Sequence, residues 1–272
     1  MKFGICNEIF ERWPWERVCE YTARLGYQGL EVAPFTLADD ASSISQETRS
    51  DVRGCAERHG IEILGLHWLL VKPAGLYITH PDSFVRRRTA QYFGTLVDLC
   101  ADLGGKVMVV GSPKQRNLMT GVAREQAVAY AKEVFMPCLD HAAARGVTLA
   151  LEPLSSIDTN FIQTAQEAID LIDQINHPNF RINLDVKAMC MEKKPIAEII
   201  RASRQHIAHF HVNDPNLQGP GMGAVKFEPI VAALREVGYD GWLSVEAFDL
   251  KPGAETIAEK SIAYLKKVTS SR

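Results

Sequence analysis

The segments VTLALEP (147–153), RINLDV (181–186), IAHFHVND (207–214) and WLSVEAF (242–248) are short apolar runs that each carry an acidic or imidazole side chain at or near their end. Runs of this length, rich in apolar and β-branched residues, are typical of strands buried on both faces of a parallel sheet. Longer patterns with helical periodicity separate them. The four segments therefore predict a parallel sheet built from alternating strands and helices.

The same alternation extends in both directions along the chain. Dividing 272 residues by eight units gives about 34 residues per unit, which is the usual size of a βα unit. We therefore predict one (β/α)8 TIM barrel with a parallel eight-stranded core, as a single domain over residues 1–272. The predicted strands are Lys2–Asn7, Gly29–Ala33, Ile61–Leu69, Val107–Gly111, Val147–Glu152, Arg181–Val186, Ala208–Val212 and Leu243–Ala247. The predicted helices are Pro14–Leu25, Ser45–His59, Pro81–Leu103, Val122–Arg145, Thr164–Ile175, Pro195–Arg204, Pro229–Val237 and Ala254–Lys267.

A doubly wound open sheet is the alternative architecture. Such a sheet normally carries a glycine-rich phosphate turn directly after its first strand. Here the first predicted strand is followed by CNEIF at residues 6–10, which contains no glycine. The barrel is therefore favoured.

The composition bounds the partners and the compartment. The formal net charge is −3 and the sequence pI is about 6.3, which argues against nucleic acid as the main partner. Six cysteines are scattered without a CxxC pair, as expected for reduced thiols. No apolar run approaches the length of a membrane span, and the N-terminus lacks the pattern of a signal peptide. We expect a cytoplasmic protein with no nucleic-acid or membrane partner.

The polar residues at the ends of the last four strands predict a metal site. Glu152, Asp185, His211 and Glu246 follow or close four successive strands, whose carboxyl ends share one mouth of a barrel. Three carboxylates gathered there repel one another unless a cation lies between them. Mn²⁺ or Mg²⁺ suits this mostly oxygen donor set best, with Co²⁺, Fe²⁺ or Zn²⁺ as alternatives. Taken singly, each residue could instead be a hydrogen-bonded structural group.

Four segments carry a resemblance to a known family: ALEP (150–153), INLD (182–185), HFHVND (209–214) and GYDGWLSVEAF (238–248). They resemble the sugar phosphate isomerase/epimerase family of xylose isomerase-like TIM barrels, nearest to the ketose 3-epimerases. The resemblance implies that Glu152, Asp185, His211 and Glu246 hold the metal. It also implies that Glu152 and Glu246 are the acid/base pair, and that the protein is a homodimer or homotetramer.

The chain departs from the ketose 3-epimerases at two substrate contacts. A histidine of the family is replaced by Ala188, and an arginine in the loop after the seventh strand is replaced by Leu217. Asp158 falls where the family has a second glutamate. Lys187 or Lys114 is expected to replace the missing histidine or arginine as a hydrogen-bond donor to the substrate. The predicted substrate-binding residues are His67, Trp68, Asp158, Lys114 and Lys187.

These residues predict a metal-dependent sugar isomerase or epimerase that moves a proton α to a carbonyl through an enediolate. A dehydratase or lyase acting on a keto-sugar or keto-inositol is the alternative, since it begins with the same proton abstraction. A barrel-type nuclease is disfavoured because most remaining histidines lie in helices or loops. A non-catalytic sugar-binding barrel is disfavoured by the two opposed glutamates.

The sequence also suggests roles for three further polar residues. His209 is expected to be a core histidine below His211, since alternate residues of a strand face the same side. Glu31, which ends the second strand, either reaches the site or pairs with a neighbouring strand. Arg116, close to Lys114 in the loop after the fourth strand, is interpreted as a solvated charge or an anion ligand.

Overall fold

Eight parallel strands, β1 to β8, follow one another around a closed barrel in the computed structural model, which describes residues 1–270. Each strand pairs with the next, and β8 pairs back onto β1 through Lys2–Trp242 to Ile5–Val245. The predicted TIM barrel fold is confirmed. The strands are β1 (Lys2–Cys6), β2 (Gly29–Val32), β3 (Glu62–Leu66), β4 (Val107–Val110), β5 (Thr148–Leu151), β6 (Phe180–Asp185), β7 (Ile207–Val212) and β8 (Trp242–Val245).

The helices surround the barrel. They are α1 (Trp15–Leu25), α2 (Gln46–Arg58), α3 (Ser83–Asp102), α4 (Arg124–Ala144), α5 (Ala165–Ile175), α6 (Val186–Met189), α7 (Ile196–Ala202), α8 (Glu228–Glu236) and α9 (Ala254–Ser270). Single turns of 3₁₀ helix follow β1 (Asn7–Phe10), β2 (Pro34–Thr36 and Ala41–Ser43) and β4 (Pro113–Gln115). The sequence did not predict α6, because one turn is too short to show helical periodicity.

Local sequence sets the ends of several helices. Ser45 and Asp82 cap α2 and α3 by accepting hydrogen bonds from the main-chain N–H groups of Thr48 and Phe84. Such caps satisfy N–H groups that have no partner within the helix. At the other end, α1 stops at Gly26, which adopts a left-handed conformation with φ of 92°.

The hydrophobic core lies inside the barrel and between the strands and the helices. Every residue of β2 and β4 is buried, as expected for strands covered on both faces. Phe135 of α4 lies between Phe93 of α3 and Phe180 of β6, with ring centroids 5.5 and 5.0 Å apart. Within residues 1–270, no helix combines the length and the apolarity needed to cross a bilayer.

The third strand is shorter than the sequence predicts, and this positions two residues of the mouth. It ends at Leu66 rather than Leu69, so His67 and Trp68 follow the strand. Trp68 has a positive φ of 52°, which an extended strand does not allow. The chain therefore turns at Trp68, and the loop after β3 contacts the segment after β4, where the Leu70 N–H donates to Ser112 Oγ at 3.1 Å.

Candidate active site

Four side chains converge at the carboxyl-terminal mouth of the barrel. Glu152 directly follows β5, Asp185 ends β6, His211 lies on β7 and Glu246 directly follows β8. One potential ligand atom from each lies within 4.8 Å of the others, and all four residues are buried. The structure therefore brings together the complete predicted ligand set.

The imidazole of His211 is oriented toward the two glutamates. Its Nδ1 atom lies 3.3 Å from Glu152 Oε1 and 3.1 Å from Glu246 Oε2. This buried nitrogen makes no hydrogen bond. A buried nitrogen without a partner is costly, and one that faces carboxylates fits a histidine ligand of a divalent cation. The donor set present here therefore suits a metal ion.

Glu31 of β2 holds the other side of the His211 ring. Its carboxylate lies 3.2 Å from His211 Nε2, and it accepts hydrogen bonds from Ser244 Oγ at 2.7 Å and from His209 Nε2 at 2.9 Å. Burial alone would raise the pKa of Glu31, but His209 and His211 hold the pKa well below its usual range. An ionised Glu31 fixes the hydrogen on Nε2 of His211 and leaves the Nδ1 lone pair free to bind a cation. The residue thus reaches the site indirectly, through His211.

Asp185 is held by two amide groups. Its Oδ1 accepts a hydrogen bond from the Ala188 main-chain N–H at 2.7 Å, and its Oδ2 accepts one from Asn213 Nδ2 at 2.6 Å. Burial, together with the charges of Glu152 and Glu246, raises the pKa of Asp185 to about 7. The rise reflects the repulsion among three buried carboxylates, which a divalent cation would offset.

The side chain of Glu152 is positioned by a hydrogen bond from Asn183 and by the space that Gly111 leaves beside it. Its Oε1 accepts a hydrogen bond from Asn183 Nδ2 at 3.0 Å. Its carboxylate also lies directly against Gly111, at a point that the Cβ of any larger residue would occupy. Glycine at position 111 therefore gives the Glu152 side chain the room it needs.

The environment of the Arg116 side chain differs from the one expected from the sequence. Its side chain is only 1% exposed, and its guanidinium donates to the main-chain carbonyls of Glu152, at 2.6 Å, and of Val110. Burial lowers the pKa of Arg116 to about 10. Arg116 is thus neither a solvated charge nor free to bind an anion, and instead joins the carboxyl ends of β4 and β5.

A cavity of about 210 Å³ is lined by the three convergent carboxylates, Glu152, Asp185 and Glu246, and we call it the inner cavity. Four of the five predicted substrate-binding residues line it, namely His67, Trp68, Asp158 and Lys187, together with Leu217 and Phe248. Lys114 is exposed on the turn after β4 and is not among the lining residues. Leu217 makes part of this wall apolar.

Asp158 and Lys187 form an ion pair at the edge of the inner cavity. Lys187 Nζ donates to Asp158 Oδ2 at 2.8 Å, and Ser155 Oγ donates to the same oxygen at 2.7 Å. Burial alone would raise the pKa of Asp158, but these hydrogen bonds outweigh it and lower the pKa. The ammonium of Lys187 also lies 5.1 Å from the ring centroid of Phe248. The pair presents polar groups suited to sugar hydroxyls.

Glu8 is a residue of the mouth that the sequence analysis did not identify. Its Oε2 lies 2.6 Å from His67 Nε2, and the side chain of Glu8 is only 15% exposed. Burial alone would lower the pKa of His67, but the charge of Glu8 outweighs it and raises the pKa. Glu8 lies two residues after β1, so its acidic side chain close to the end of a predicted strand was the available signal in the sequence.

Ligand-type side chains also cluster at three neighbouring positions. These clusters are Glu31–His209–His211, Cys6–Glu31–His67 and Glu8–His67–Glu246. In the first, the Nε2 atoms of both histidines already face Glu31. In the other two, His67 Nε2 is already bonded to Glu8, and His67 Nδ1 lies 4.0 Å from Glu31, farther than His211 Nδ1 lies from Glu152 and Glu246. The cluster around His211 Nδ1 is therefore the better metal site.

Comparisons with known proteins agree with this fold. Residues 19–268 match the family model for the xylose isomerase-like TIM barrel. The chain is 27% identical over 260 residues to a D-psicose 3-epimerase of Ruminiclostridium cellulolyticum, covering 91% of this chain and 84% of that protein. It is 26% identical over 253 residues to an L-ribulose 3-epimerase of Mesorhizobium japonicum, covering 92% and 80%. A crystal structure of D-psicose 3-epimerase in the presence of D-fructose superimposes with a TM-score of 0.87 at 22% identity, over 100% of both chains. The chain belongs to the xylose isomerase-like TIM barrel family.

Proposed function

We propose that the protein is a divalent-metal-dependent sugar epimerase or isomerase acting on a ketose or related keto-sugar. The observation that carries the proposal is the unpartnered Nδ1 of buried His211, which faces Glu152 and Glu246 with Asp185 beside them. The curated relatives are named as ketose epimerases, which supports the isomerase class.

Glu152, Asp185, His211 and Glu246 would hold one metal ion, for which Mn²⁺ is the first candidate. Three carboxylates and one imidazole are donors that Mn²⁺ and Mg²⁺ accept, and Co²⁺, Fe²⁺ or Zn²⁺ also fit. When bound, such an ion polarises a carbonyl and stabilises the negative charge that develops on its oxygen. The remaining chemistry belongs to the side chains of the inner cavity.

Glu152 and Glu246 are proposed as the acid/base pair. They follow β5 and β8, which are separated in the barrel by β6 and β7, and both line the inner cavity. A substrate lying between them would expose opposite faces of its α-carbon to the two carboxylates. One glutamate would take the proton and the other would return a proton to the opposite face, which inverts that carbon.

The substrate contacts are proposed on the walls of the inner cavity. His67, Asp158 and Lys187 offer hydrogen-bonding groups, and Trp68 offers an aromatic face. Lys114 stays a prediction, because its exposed side chain does not line the cavity. A homodimer or homotetramer and a cytoplasmic location also stay predictions; light scattering on the purified protein tests the first.

Isotope exchange tests the proposed reaction. The metal-loaded enzyme is incubated in D₂O with a panel of ketoses, keto-acids and inososes, and the products are examined by NMR. We expect solvent deuterium at the carbon next to a carbonyl without loss of water, and we expect Glu246→Gln to abolish it with the fold retained. No exchange across the panel, with bound metal verified, contradicts the proposal; loss of water would identify a dehydratase instead.

A further inference from the structure

A second and larger cavity, of about 640 Å³, lies beside the inner one, and we call it the outer cavity. It is walled by the segment after β1, by the loops after β2 and β3, and by the segment after β8. Trp68 and Phe248 line both cavities and form their common boundary, with ring centroids 6.1 Å apart. Its aromatic lining residues are Phe10, Trp13, Trp15, Phe35, Trp68 and Phe248.

The sizes of the cavities suggest a substrate longer than one sugar. Pockets for small molecules usually measure about 300–1,000 Å³, and the inner cavity alone, at about 210 Å³, falls below that range. It offers room for the reacting sugar next to Glu152, Asp185 and Glu246. The end of the substrate remote from these carboxylates would reach Trp68 and Phe248, and therefore the outer cavity.

The chemistry of the outer cavity suits a neutral ring with hydroxyl groups. Sugar rings present apolar C–H faces that pack on aromatic side chains, while the cavity also offers the polar side chains of Glu8, Glu11 and Arg12. Among the described lining residues of both cavities, the cationic side chains are Arg12 and Lys187, and Lys187 is paired with Asp158. The acidic balance disfavours a phosphate group there.

Trp68 marks the boundary as a place for a ligand. Its φ of 52° is unfavourable for a residue with a bulky side chain, and its indole N–H is buried without a hydrogen-bond partner. Backbone strain and unsatisfied donors concentrate where a protein binds ligands. Trp68, which lines both cavities together with Phe248, therefore combines an unfavourable φ with an unpartnered indole N–H.

We propose that the outer cavity is a subsite for a second, neutral sugar ring, so that the enzyme takes a glycosylated ketose in preference to a free or phosphorylated one. The proposal rests on the proposed function and extends it. The reacting ketose occupies the inner cavity, and the attached ring packs beyond Trp68 and Phe248 against Phe35 and Val71.

The test compares fructose, fructose 6-phosphate and isomaltulose, a glucosyl-fructose disaccharide, as substrates for deuterium exchange by the metal-loaded enzyme. We expect the highest kcat/KM with isomaltulose. Val71→Trp places a bulky side chain in the outer cavity, and Phe35→Ala removes an aromatic face; neither residue lines the inner cavity. Each should lower kcat/KM for isomaltulose by about tenfold and leave fructose within about twofold. Phe84→Ala, an exposed phenylalanine on α3 outside both cavities, is the matched control and should change neither value.

The outcomes separate the two proposals. Exchange with fructose but not with isomaltulose, a preference for fructose 6-phosphate, or equal losses with both sugars in Val71→Trp and Phe35→Ala would overturn the subsite. If none of the three sugars exchanges while another ketose does, the subsite for a glycosylated ketose is overturned and the proposed function stands. If no member of the wider panel of ketoses, keto-acids and inososes exchanges while bound metal is verified, the proposed function itself is contradicted, and the subsite falls with it.

Discussion

Glu31 and His211 lie 3.2 Å apart between the carboxylate and Nε2, on the side of the imidazole opposite to Glu152 and Glu246. The contact joins β2 to β7 across the interior of the barrel, and both side chains are fully buried. A histidine ligand usually donates its second ring N–H to such a carboxylate, which fixes the ring and raises its basicity. Glu31 would thus orient His211 for the proposed metal ion, although Glu31 is not one of the four proposed ligands.

Replacing Glu31 by glutamine should weaken metal binding. The amide keeps the shape of the side chain but removes the charge that stabilises the N–H on Nε2, so we expect the Kd for Mn²⁺ to rise about 10- to 100-fold. Titration calorimetry on the metal-free protein measures this directly. Glu62→Gln is the control, since Glu62 is 60% exposed and pairs with Lys2 at the surface. An unchanged Kd in Glu31→Gln would show that His211 needs no such support.

Gly111→Ala should strongly reduce turnover, because it displaces the side chain of Glu152. The added Cβ would overlap the Glu152 carboxylate and push it out of the ligand cluster. We expect a fall in kcat/KM of at least about 100-fold, because misplacing a reacting group by about an ångström has effects of that size. Gly94→Ala is the matched control: an added Cβ there meets nothing within 4 Å, and alanine within α3 should stabilise the helix. Full activity in Gly111→Ala would contradict the assigned role of Glu152.

Arg116→Met should destabilise the fold. It removes the donor to the main-chain carbonyl of Glu152 and one of two donors to that of Val110, which keeps the N–H of Glu152. One buried unsatisfied carbonyl costs about 1–3 kcal/mol. We expect the free energy of unfolding in urea to fall by about 1–3 kcal/mol. Lys114→Met, in the same turn but exposed, should stay within about 0.5 kcal/mol of wild type. The same control variant tests substrate binding by Lys114, since a raised KM there would restore that prediction.

Asp158→Asn should raise KM while leaving the Kd for Mn²⁺ unchanged, because Asp158 lines the inner cavity but is not one of the four ligands. The pKa of Asp158 is lowered in the folded protein, so its ion pair stabilises the fold above the usual pKa of aspartate. That contribution is lost as the pH falls through the lowered value. The difference in stability between wild type and Asp158→Asn should therefore vanish in acid and be constant from pH 6 to 8. A difference in stability that changes between pH 6 and 8 would contradict the assigned ion pair of Asp158.

The fold and the four candidate ligands could be predicted from the sequence because both depend on local pattern. Parallel strands are apolar runs with separate helices between them, and their carboxyl ends necessarily share one mouth. The sequence therefore identifies four candidate ligands as a set, whose binding of a metal is a proposal: Glu152, Asp185, His211 and Glu246.

The roles of Glu31 and Arg116 could not be predicted in the same way. Glu31 meets His211 across the barrel, and such a contact depends on the barrel's radius and stagger, which no local pattern reports. Arg116 folds back from its loop onto Val110 and Glu152, although arginine in a polar loop is usually solvated. The short helix α6 was missed because a single turn carries no period.

The most direct test of the metal site is anomalous diffraction from crystals saturated with Mn²⁺. We predict one strong peak within about 2.0–2.6 Å of an atom from each of Glu152, Asp185, His211 Nδ1 and Glu246. A mouth without a peak under saturating Mn²⁺, or a peak held by Glu8 and His67 instead, would contradict the proposed site.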